Sequence, residues 1–201
     1  MVNTAVLVSG GGTNLEAVLT AVENKTIRSA RVALVAADRP GCYALKRAEL
    51  HNVPHLCLDR RSLGKKCFEA ALKKAVEEHE CRLIVLAGFL SILSEDFVRA
   101  FEGRIINIHP SLIPSFCGDG FYGLKVHQAA LERGVKITGA TVHLVNEITD
   151  GGKILLQKAV EVKDGDSPES LQERVMREAE HIILPQAVEM MAAELQKEED
   201  V

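Results

Sequence analysis

The sequence has few aromatic residues and no tryptophan: Phe, Trp and Tyr together make up 4% of its 201 residues. Proteins that hold single-stranded nucleic acid stack the bases on aromatic side chains, and this chain has too few of them for such a surface. Its formal net charge of −4 also argues against a broad surface for polyanions. We therefore expect no nucleic acid among its partners, although a local site for one phosphate stays compatible with the composition.

Metal-binding cysteine patterns and long apolar runs are missing too. The five cysteines, at positions 42, 57, 67, 81 and 117, form neither a Cys-x-x-Cys pair nor a zinc-type spacing, so we expect no metal site. Their odd number, without a secretory signal pattern, favours a reducing cytoplasm. No apolar run reaches the roughly 18 residues that suggest a membrane span, and we expect no membrane partner.

The order of apolar and amphipathic segments predicts an α/β fold. Short apolar runs alternate with helical patterns over the first hundred residues, which predicts a doubly wound, mostly parallel, Rossmann-like sheet. Two later extended runs, 136–145 and 153–162, are joined by a short glycine-containing link and predict an antiparallel pair. Ser167 followed by Pro168 predicts the start of a long helix that Pro185 interrupts; earlier, Ser62 is expected to cap a helix.

We expect a single domain over residues 1–201. The first half, 1–102, carries the βα units and a phosphate-binding turn, and the second half, 103–190, carries the catalytic groups. Residues 191–201 end in Glu, Glu, Asp and Val, and we expect this acidic segment to be a frayed, solvated tail.

A glycine turn follows the first predicted strand. Gly10, Gly11 and Gly12 precede Thr13 and Glu16, whose spacing is that of a capping box at a helix start. Glycines let the backbone approach an anion, and free N–H groups at a helix N-terminus hold it. The motif fits a phosphate site and fits equally well a tight βα turn without a ligand.

An amide and an imidazole lie at the end of the strand around position 107. Alternate side chains of a strand share a face, so Asn107 and His109 point one way while Ile106 and Ile108 point into the opposite layer. Pro110 ends the strand, and open α/β sheets place their chemistry at such carboxyl ends. The pair can donate to a developing oxyanion and titrate near neutral pH, but a turn-forming Asn and a packed His would look the same.

Six short motifs, taken together, resemble the phosphoribosylglycinamide formyltransferase family. They come in the family's order and span the chain from about residue 3 to residue 190, at positions 9–15, 86–89, 107–114, 138–143, 150–152 and 180–181. Each motif alone is weak, and the combination is specific. We therefore identify the chain as similar to this family.

The resemblance implies transfer of a formyl group from 10-formyltetrahydrofolate to the amine of glycinamide ribonucleotide in de novo purine synthesis, without a metal. It implies small-molecule partners only, with the chain a monomer or homodimer. By the family pattern the catalytic residues are Asn107, His109 and Asp150. The residues expected at the ribonucleotide are Gly12, Thr13, Asn14, Arg177 and Glu180, and those expected at the folate are Lys65, Leu90, Ser91, Ile92, Leu93, Asn107, Asn146, Glu147, Ile148 and Thr149.

The chemistry of these residue types agrees with the reaction. An amine that attacks a formyl carbon gives a tetrahedral oxyanion, and N10 of the folate must leave protonated. Asn107 can donate to the oxyanion, His109 can stabilise it and move the proton, and a carboxylate at Asp150 would favour the imidazolium. Without the resemblance we would interpret Asp150 as a turn residue. We expect His143 to be a packed core histidine and His181 to orient Glu180 or to pack.

Three features depart from the family pattern. Ser91 and Lys65 stand where the family often has arginine, so we expect the contacts near the folate to differ from the family pattern. The loop 116–126 is longer than in much of the family, and its glycines suggest hinges of a mobile cover over the site.

Other functions remain open from the sequence. A dinucleotide-dependent oxidoreductase fits Gly10, Gly12 and a ribose-binding Asp38, although Leu15 fills the third glycine position. Formyltetrahydrofolate deformylases share the core but carry an extra N-terminal domain, and methionyl-tRNA formyltransferases carry an extra C-terminal one; we expect neither domain here. A folate-binding protein without turnover is the remaining alternative.

Overall fold

One seven-stranded sheet organises the chain in a computed structural model that describes residues 1–199. Strands β1 to β5 pair in parallel, and β6 pairs antiparallel with both β5 and β7. The strand order is β3-β2-β1-β4-β5-β6-β7. This confirms the predicted mostly parallel fold with an antiparallel pair. The strands are β1 Val2–Val8, β2 Ala30–Ala37, β3 His55–Cys57, β4 Leu83–Leu86, β5 Ile105–His109, β6 Ile137–Leu144 and β7 Ile154–Glu161.

Helices connect the strands and end the described chain. The α-helices are α1 Thr13–Glu23, α2 Tyr43–Leu50, α3 Arg60–Glu78, α4 Glu95–Ala100, α5 Leu124–Arg133, α6 Pro168–Val175 and α7 His181–Glu199. A short π-helix, Met176–Glu180, joins α6 to α7, and we call it the π-turn. No helix within residues 1–199 is both long and apolar enough to cross a membrane.

Two apolar cores lie on the two faces of the sheet. Val6 and Val8 of β1 pack into the core that contains Leu184 of α7, whereas Leu7 packs into the core that contains Phe68 of α3. Because successive side chains of a strand point to opposite faces of the sheet, β1 contributes residues to both cores. Because β4 and β5 pair in parallel on either side of residue 102, the two expected halves of the chain share one sheet.

The predicted capping box at Thr13 is wrong. Gly12 is the N-cap residue, with φ 75°, and no side chain caps the helix. The hydroxyl of Thr13 instead donates to Sδ of Met176 at 3.0 Å, and Glu16 accepts from Arg47 at 2.9 Å. A Cβ on Gly12 would approach Ala44 to 2.6 Å, so close packing of α2, together with the positive φ, explains why a glycine stands there.

The start of α3 also differs from the prediction. Asp59, not Ser62, is the N-cap residue: its side chain accepts from the backbone N–H of Arg61, and the Ser62 hydroxyl donates to the same carboxylate. Gly64, at φ 71° and ψ 160°, then interrupts the helix. Downstream of that break the helix buries Phe68.

The C-terminal helical region begins as predicted and is interrupted elsewhere. Ser167 caps α6 in a reciprocal arrangement with Ser170, and Pro168 occupies the first turn. The expected break at Pro185 is wrong, because this proline lies inside α7. The interruption is the π-turn, which comes before it.

The expected tail differs from the structure as far as the structure describes it. Residues 191–199 continue α7, and Met191 and Leu195 are buried in the core. Their apolar side chains pack on the sheet, so the helix is held by burial rather than frayed. Asp200 and Val201, the last residues of the predicted tail, lie outside the described residues.

Candidate active site

The carboxyl end of β5 opens into a cavity of about 730 Å³. Asn107 and His109 both line it, while Ile106 is fully buried in the core on the opposite face of the sheet. The strand ends at His109, directly before Pro110, as predicted. The cavity therefore lies where open α/β sheets place their ligands.

A tight turn after β6 brings Asp150 to these two side chains. Asp150 has a positive φ of 54°, and a Cβ on Gly152 would come within 1.7 Å of the Leu144 carbonyl oxygen, so the turn requires a glycine at 152. Asp150 Oδ2 lies 3.5 Å from His109 Nδ1, and Asp150 Oδ1 lies 3.5 Å from Asn107 Nδ2. The structure thus brings the three expected catalytic residues together.

His143 belongs to the same cluster. It is buried, as predicted, but its Nε2 lies 3.1 Å from Asn107 Nδ2 and 3.5 Å from Asp150 Oδ1, which a histidine of the apolar core would not do. Its Nδ1 donates to the Leu144 carbonyl at 2.8 Å. The antiparallel register, which pairs Asn107 with His143, is the signal that would have found it.

Asp150 is held in its charged form. Burial alone would raise the pKa of this carboxyl group, but the contact with His143, the charge of His109 and the backbone N–H of Gly118 together lower the pKa below its usual range. The Gly118 N–H donates to Asp150 Oδ2 at 2.8 Å. A charged carboxylate is therefore fixed beside two imidazoles.

The loop after β5 contacts this cluster directly. His109 Nε2 donates to the carbonyl of Phe116 at 2.9 Å, and the Gly118 N–H reaches Asp150. Residues 118–123 also line the cavity. The loop therefore contacts two of the residues expected to be catalytic, at the place where the sequence predicts a cover.

A second buried carboxylate, Glu180, lines the cavity at the π-turn. It is 7% exposed, and Asn14 Nδ2 donates to its Oε2 at 2.6 Å. Burial raises the pKa of Glu180, and the bond from Asn14 opposes that shift only in part. Arg177, expected beside Glu180 on one helix face, instead pairs with Glu178 and points to solvent, because the π-turn changes the helical spacing.

The glycine turn comes directly before Thr13 and Asn14, and of these residues only Asn14 lines the cavity. A Cβ on Gly10 or Gly11 would meet no atom within 4 Å, so the turn has open space beside it for an anion. Arg47 reaches this turn and donates from Nε to the Gly11 carbonyl at 2.9 Å. Of the three residues near this turn that are expected at the ribonucleotide, Asn14 lines the cavity, Gly12 caps α1, and Thr13 lines a separate surface groove with Arg47.

Most residues expected at the folate form one wall of the cavity. The wall consists of Leu90, Ser91, Ile92, Leu93, Asn146, Ile148 and Thr149. Leu90, Ile92 and Ile148 are 50%, 61% and 68% exposed, which is the signature of an apolar ligand surface. Lys65 and Glu147 do not line the cavity.

No metal centre is found in the described part of the chain, residues 1–199, where no group of three or more His, Cys, Asp or Glu side chains is placed to hold an ion.

Comparison with known proteins identifies the class. The formyl transferase family matches residues 2–188, and the chain belongs to that family. Within it, the chain is 36% identical to phosphoribosylglycinamide formyltransferase of Bacillus subtilis over 188 residues, which cover 93% of both proteins. This confirms the resemblance that the motifs predicted.

Two further relatives support the same placement. The crystal structure of glycinamide ribonucleotide transformylase 1 from Symbiobacterium toebii superposes with a TM-score of 0.89 at 40% identity, covering 96% of this chain and 88% of that one. The trifunctional purine biosynthetic protein adenosine-3 of Gallus gallus is 44% identical over 193 residues. Those residues are 96% of this chain but 18% of that protein, so the chain spans about a fifth of the length of this relative.

Proposed function

We propose that the protein transfers the formyl group of 10-formyltetrahydrofolate to the amine of 5-phosphoribosylglycinamide, a reaction of de novo purine synthesis. The observation that carries the proposal is the convergence of Asn107, His109 and Asp150 in one cavity that Asn14 and Glu180 also line. The names of the relatives fit the same reaction. The substrates are small molecules, and the formyl donor is derived from folate.

The reaction needs an oxyanion site and a proton carrier. The amine nitrogen forms a bond to the formyl carbon, the tetrahedral intermediate carries the charge on oxygen, and the C–N10 bond then breaks. Asn107 Nδ2 has two protons. Nδ2 lies 3.1 Å from His143 Nε2, which accepts one proton, and 3.5 Å from Asp150 Oδ1, which is only a weak contact for the other. The second proton is therefore available for the oxyanion.

In this proposal His109 takes the proton that the amine loses and delivers it to N10. Charged Asp150, 3.5 Å away, stabilises the imidazolium form. The Nε2–H of His109 is bonded to the carbonyl of Phe116, so the loop must shift if this edge of the ring is to reach a substrate. The proposed mechanism thus includes a movement of the 116–123 segment.

Glu180 and Asn14 make the second end of the site. A buried carboxylate with a raised pKa is a strong hydrogen-bond partner for an amine, and Asn14 fixes its orientation at 2.6 Å. We propose that this pair positions the glycinamide amine. The phosphate would then reach the open glycine turn at Gly10–Gly12, with the N-terminus of α1 behind it.

The folate ring system is proposed to lie on the apolar wall formed by 90–93 and 146–149. Exposed Leu90, Ile92 and Ile148 provide its apolar contacts. Lys65, Glu147 and Arg177 lie outside the cavity and have no part in this proposal. A reaction without a metal, a cytoplasmic location and a monomeric or homodimeric state remain predictions.

Dinucleotide binding has less support. Asp38, which would bind a ribose hydroxyl in that alternative, has a side chain that is 1% exposed and bonded to Arg39 and Ser91. The carboxylate has little capacity left for a ribose, so this alternative loses its strongest argument. Formyltetrahydrofolate deformylase, in which water replaces the amine, remains the competing function.

A formyl-transfer assay separates the two. Purified protein is given 10-formyltetrahydrofolate with and without glycinamide ribonucleotide, and formylated ribonucleotide and free formate are measured. We expect formylated ribonucleotide to form and formate release to be slow. Formate released at the same rate with and without the ribonucleotide would contradict the proposal, and the His109→Ala variant provides the inactive control.

A further inference from the structure

One cation faces the cavity. Arg39, two residues beyond β2, is the only Lys or Arg among residues 1–199 that lines it. The proposed formyl donor carries carboxylate groups on its glutamate tail, at the end of the molecule away from the reacting carbon. A cation in the same cavity therefore needs explanation as part of the site.

Arg39 is held in place by a buried neighbour. Asp38 accepts from its Nε at 2.9 Å and from its Nη2 at 3.2 Å, a two-point contact along one edge of the guanidinium. Burial alone would raise the pKa of Asp38, but bonds from Arg39, Ser91 and Ser9 lower it. The arginine is thus fixed by a charged group that solvent does not reach.

The same carboxylate is tied to the folate wall. Ser91 donates to Asp38 Oδ2 at 2.5 Å, and the backbone N–H of Leu90 donates to Ser9 Oγ at 2.8 Å. Ser91, noted above as a departure from the family pattern, therefore orients the anchor of Arg39. Because this linkage joins the end of β2 to the loop after β4, it places the guanidinium beside the wall assigned to the donor.

The outer edge of Arg39 is available. Its side chain is 43% exposed, and the structure gives Nη1 no hydrogen bond to any residue in the range 1–199. A guanidinium presents five N–H donors in a fork that fits a carboxylate. With one edge on Asp38, the other can take the carboxylate of a ligand.

The ribonucleotide phosphate is the competing anion, and the structure favours the donor. The glycine turn, where we place the phosphate, already has a cation next to it: Arg47 donates to the Gly11 carbonyl. Arg39, by contrast, is held through Asp38 and Ser91 beside the wall that we assign to the donor. We propose that Arg39 binds a carboxylate of the glutamate tail of the formyl donor, with Asp38 and Ser91 as positioning residues; this rests on the function proposed above.

The test compares two ligands that differ only in the tail. Folate and pteroate share the ring system, and pteroate lacks the glutamate. Equilibrium binding by calorimetry or fluorescence should give the wild-type protein a Kd about 5–10-fold lower for folate than for pteroate, a difference typical of a partly exposed charge-assisted contact. Arg39→Ala should remove the preference, and Arg39→Lys should keep part of it.

Three variants complete the design. Arg61→Ala removes an exposed arginine that does not line the cavity and should keep the full preference. Lys65→Ala should keep it as well. If Arg39→Ala fails to fold, Arg39→Gln, whose amide can still donate to Asp38, makes the same measurement.

The outcomes distinguish this inference from the proposed function. Equal loss of folate and pteroate binding in Arg39→Ala, or loss of the preference in Lys65→Ala, would overturn the inference and leave the proposed function in place. Weaker binding of glycinamide ribonucleotide by Arg39→Ala would also overturn it, since Arg39 would then hold the phosphate. A wild-type protein that binds neither folate nor pteroate would overturn both.

Discussion

Two buried carboxyl groups face the same cavity, and their pKa values are shifted in opposite directions. Asp150 has two imidazoles and a backbone N–H around it, and its pKa is lowered despite burial. Glu180 has one amide partner, Asn14, and its pKa is raised by burial. Burial acts in the same direction on both groups, so the number and charge of the neighbours decide the outcome.

The comparison suggests a division of labour. The Asp150 end keeps a fixed negative charge 3.5 Å from the His109 ring, which suits proton movement and charge development. At the other end, the buried Glu180 carboxyl group has one hydrogen-bond partner, Asn14. This end therefore favours a ligand that is positively charged or donates a hydrogen bond. We therefore expect the first end to take part in the chemistry and the second to bind the ligand.

The largest effect is expected from removing the groups nearest the reaction. Asn107→Ala and His109→Ala should each lower kcat by about 10²–10³, as the loss of an oxyanion donor does. Steady-state formyl transfer measures this. His55→Ala is the matched control, because His55 lies on the short edge strand β3, outside the cavity; turnover of either site variant at the control rate would refute the assigned roles.

Asp150→Asn should have the next largest effect. The substitution removes the charge beside His109 but keeps the size of the side chain, so kcat should fall about 100-fold, within the range for proton-transfer groups. Stopped assays across pH 5–9 measure it. A pH–rate profile identical to that of the wild type would show that the charge has no part in turnover.

Glu180→Gln should act on binding more than on turnover. The amide keeps the shape and loses the charge, and the KM for glycinamide ribonucleotide should rise about tenfold, the effect of one charge-assisted hydrogen bond. The KM for the folate donor should stay within about twofold. Equal increases in both would contradict the placement of the amine at this end.

The two carboxylates should also change stability with pH in opposite directions. Because Asp150 has a lowered pKa, its stabilisation is present above its ordinary value of 3.8 and is lost as the pH falls through the folded value. Because Glu180 has a raised pKa, it costs stability as the pH rises above 4.5. At pH 7, Asp150→Asn should therefore melt below the wild type and Glu180→Gln at or above it.

Thermal melts from pH 3 to pH 8 test this pair. Each difference from the wild type should shrink as the pH falls and the carboxyl groups become protonated. If both variants change the melting temperature in the same direction at pH 7, the two carboxyl groups do not affect stability in opposite ways.

The smallest expected effect concerns the loop over the Asp150 end. Because its backbone bonds to His109 and Asp150 occupy groups that a substrate needs, residues 117–123 should exchange amide hydrogens faster than the neighbouring helix α5 without ligand and should change protection when folate binds. Hydrogen-exchange mass spectrometry measures both segments. Equal protection with and without ligand would rule out a mobile cover.

Features with a local physical signal were predictable from the sequence. The face shared by Asn107 and His109 follows from the period of two in a strand, and the Ser167 cap follows from its neighbours. The capping box at Thr13 was misleading because the packing of α2 against Gly12, a tertiary contact, decides how α1 begins. Local patterns describe one element well and describe the contact between two elements poorly.

Prediction of the cluster around Asp150 depended on information beyond one element. Asp150 looks like an ordinary turn residue until β6 is placed next to β5, and only the family resemblance pointed to it. His143 was assigned to the core for the same reason, since its role follows from the register against Asn107. Lys65 and Arg177 were transferred from the family pattern, and local backbone geometry places them outside the cavity.

The π-turn determines where the helical region from α6 to α7 can tolerate the loss of one residue. A π-helical turn contains one residue more than an α-helical turn, so it acts as an insertion absorbed at a single place. Deleting one residue within Met176–Glu180 would restore α-helical geometry there, while α6 and α7 keep their packing positions. The same deletion on either side of that segment would rotate everything beyond it by about 100°, turning an inward face outward.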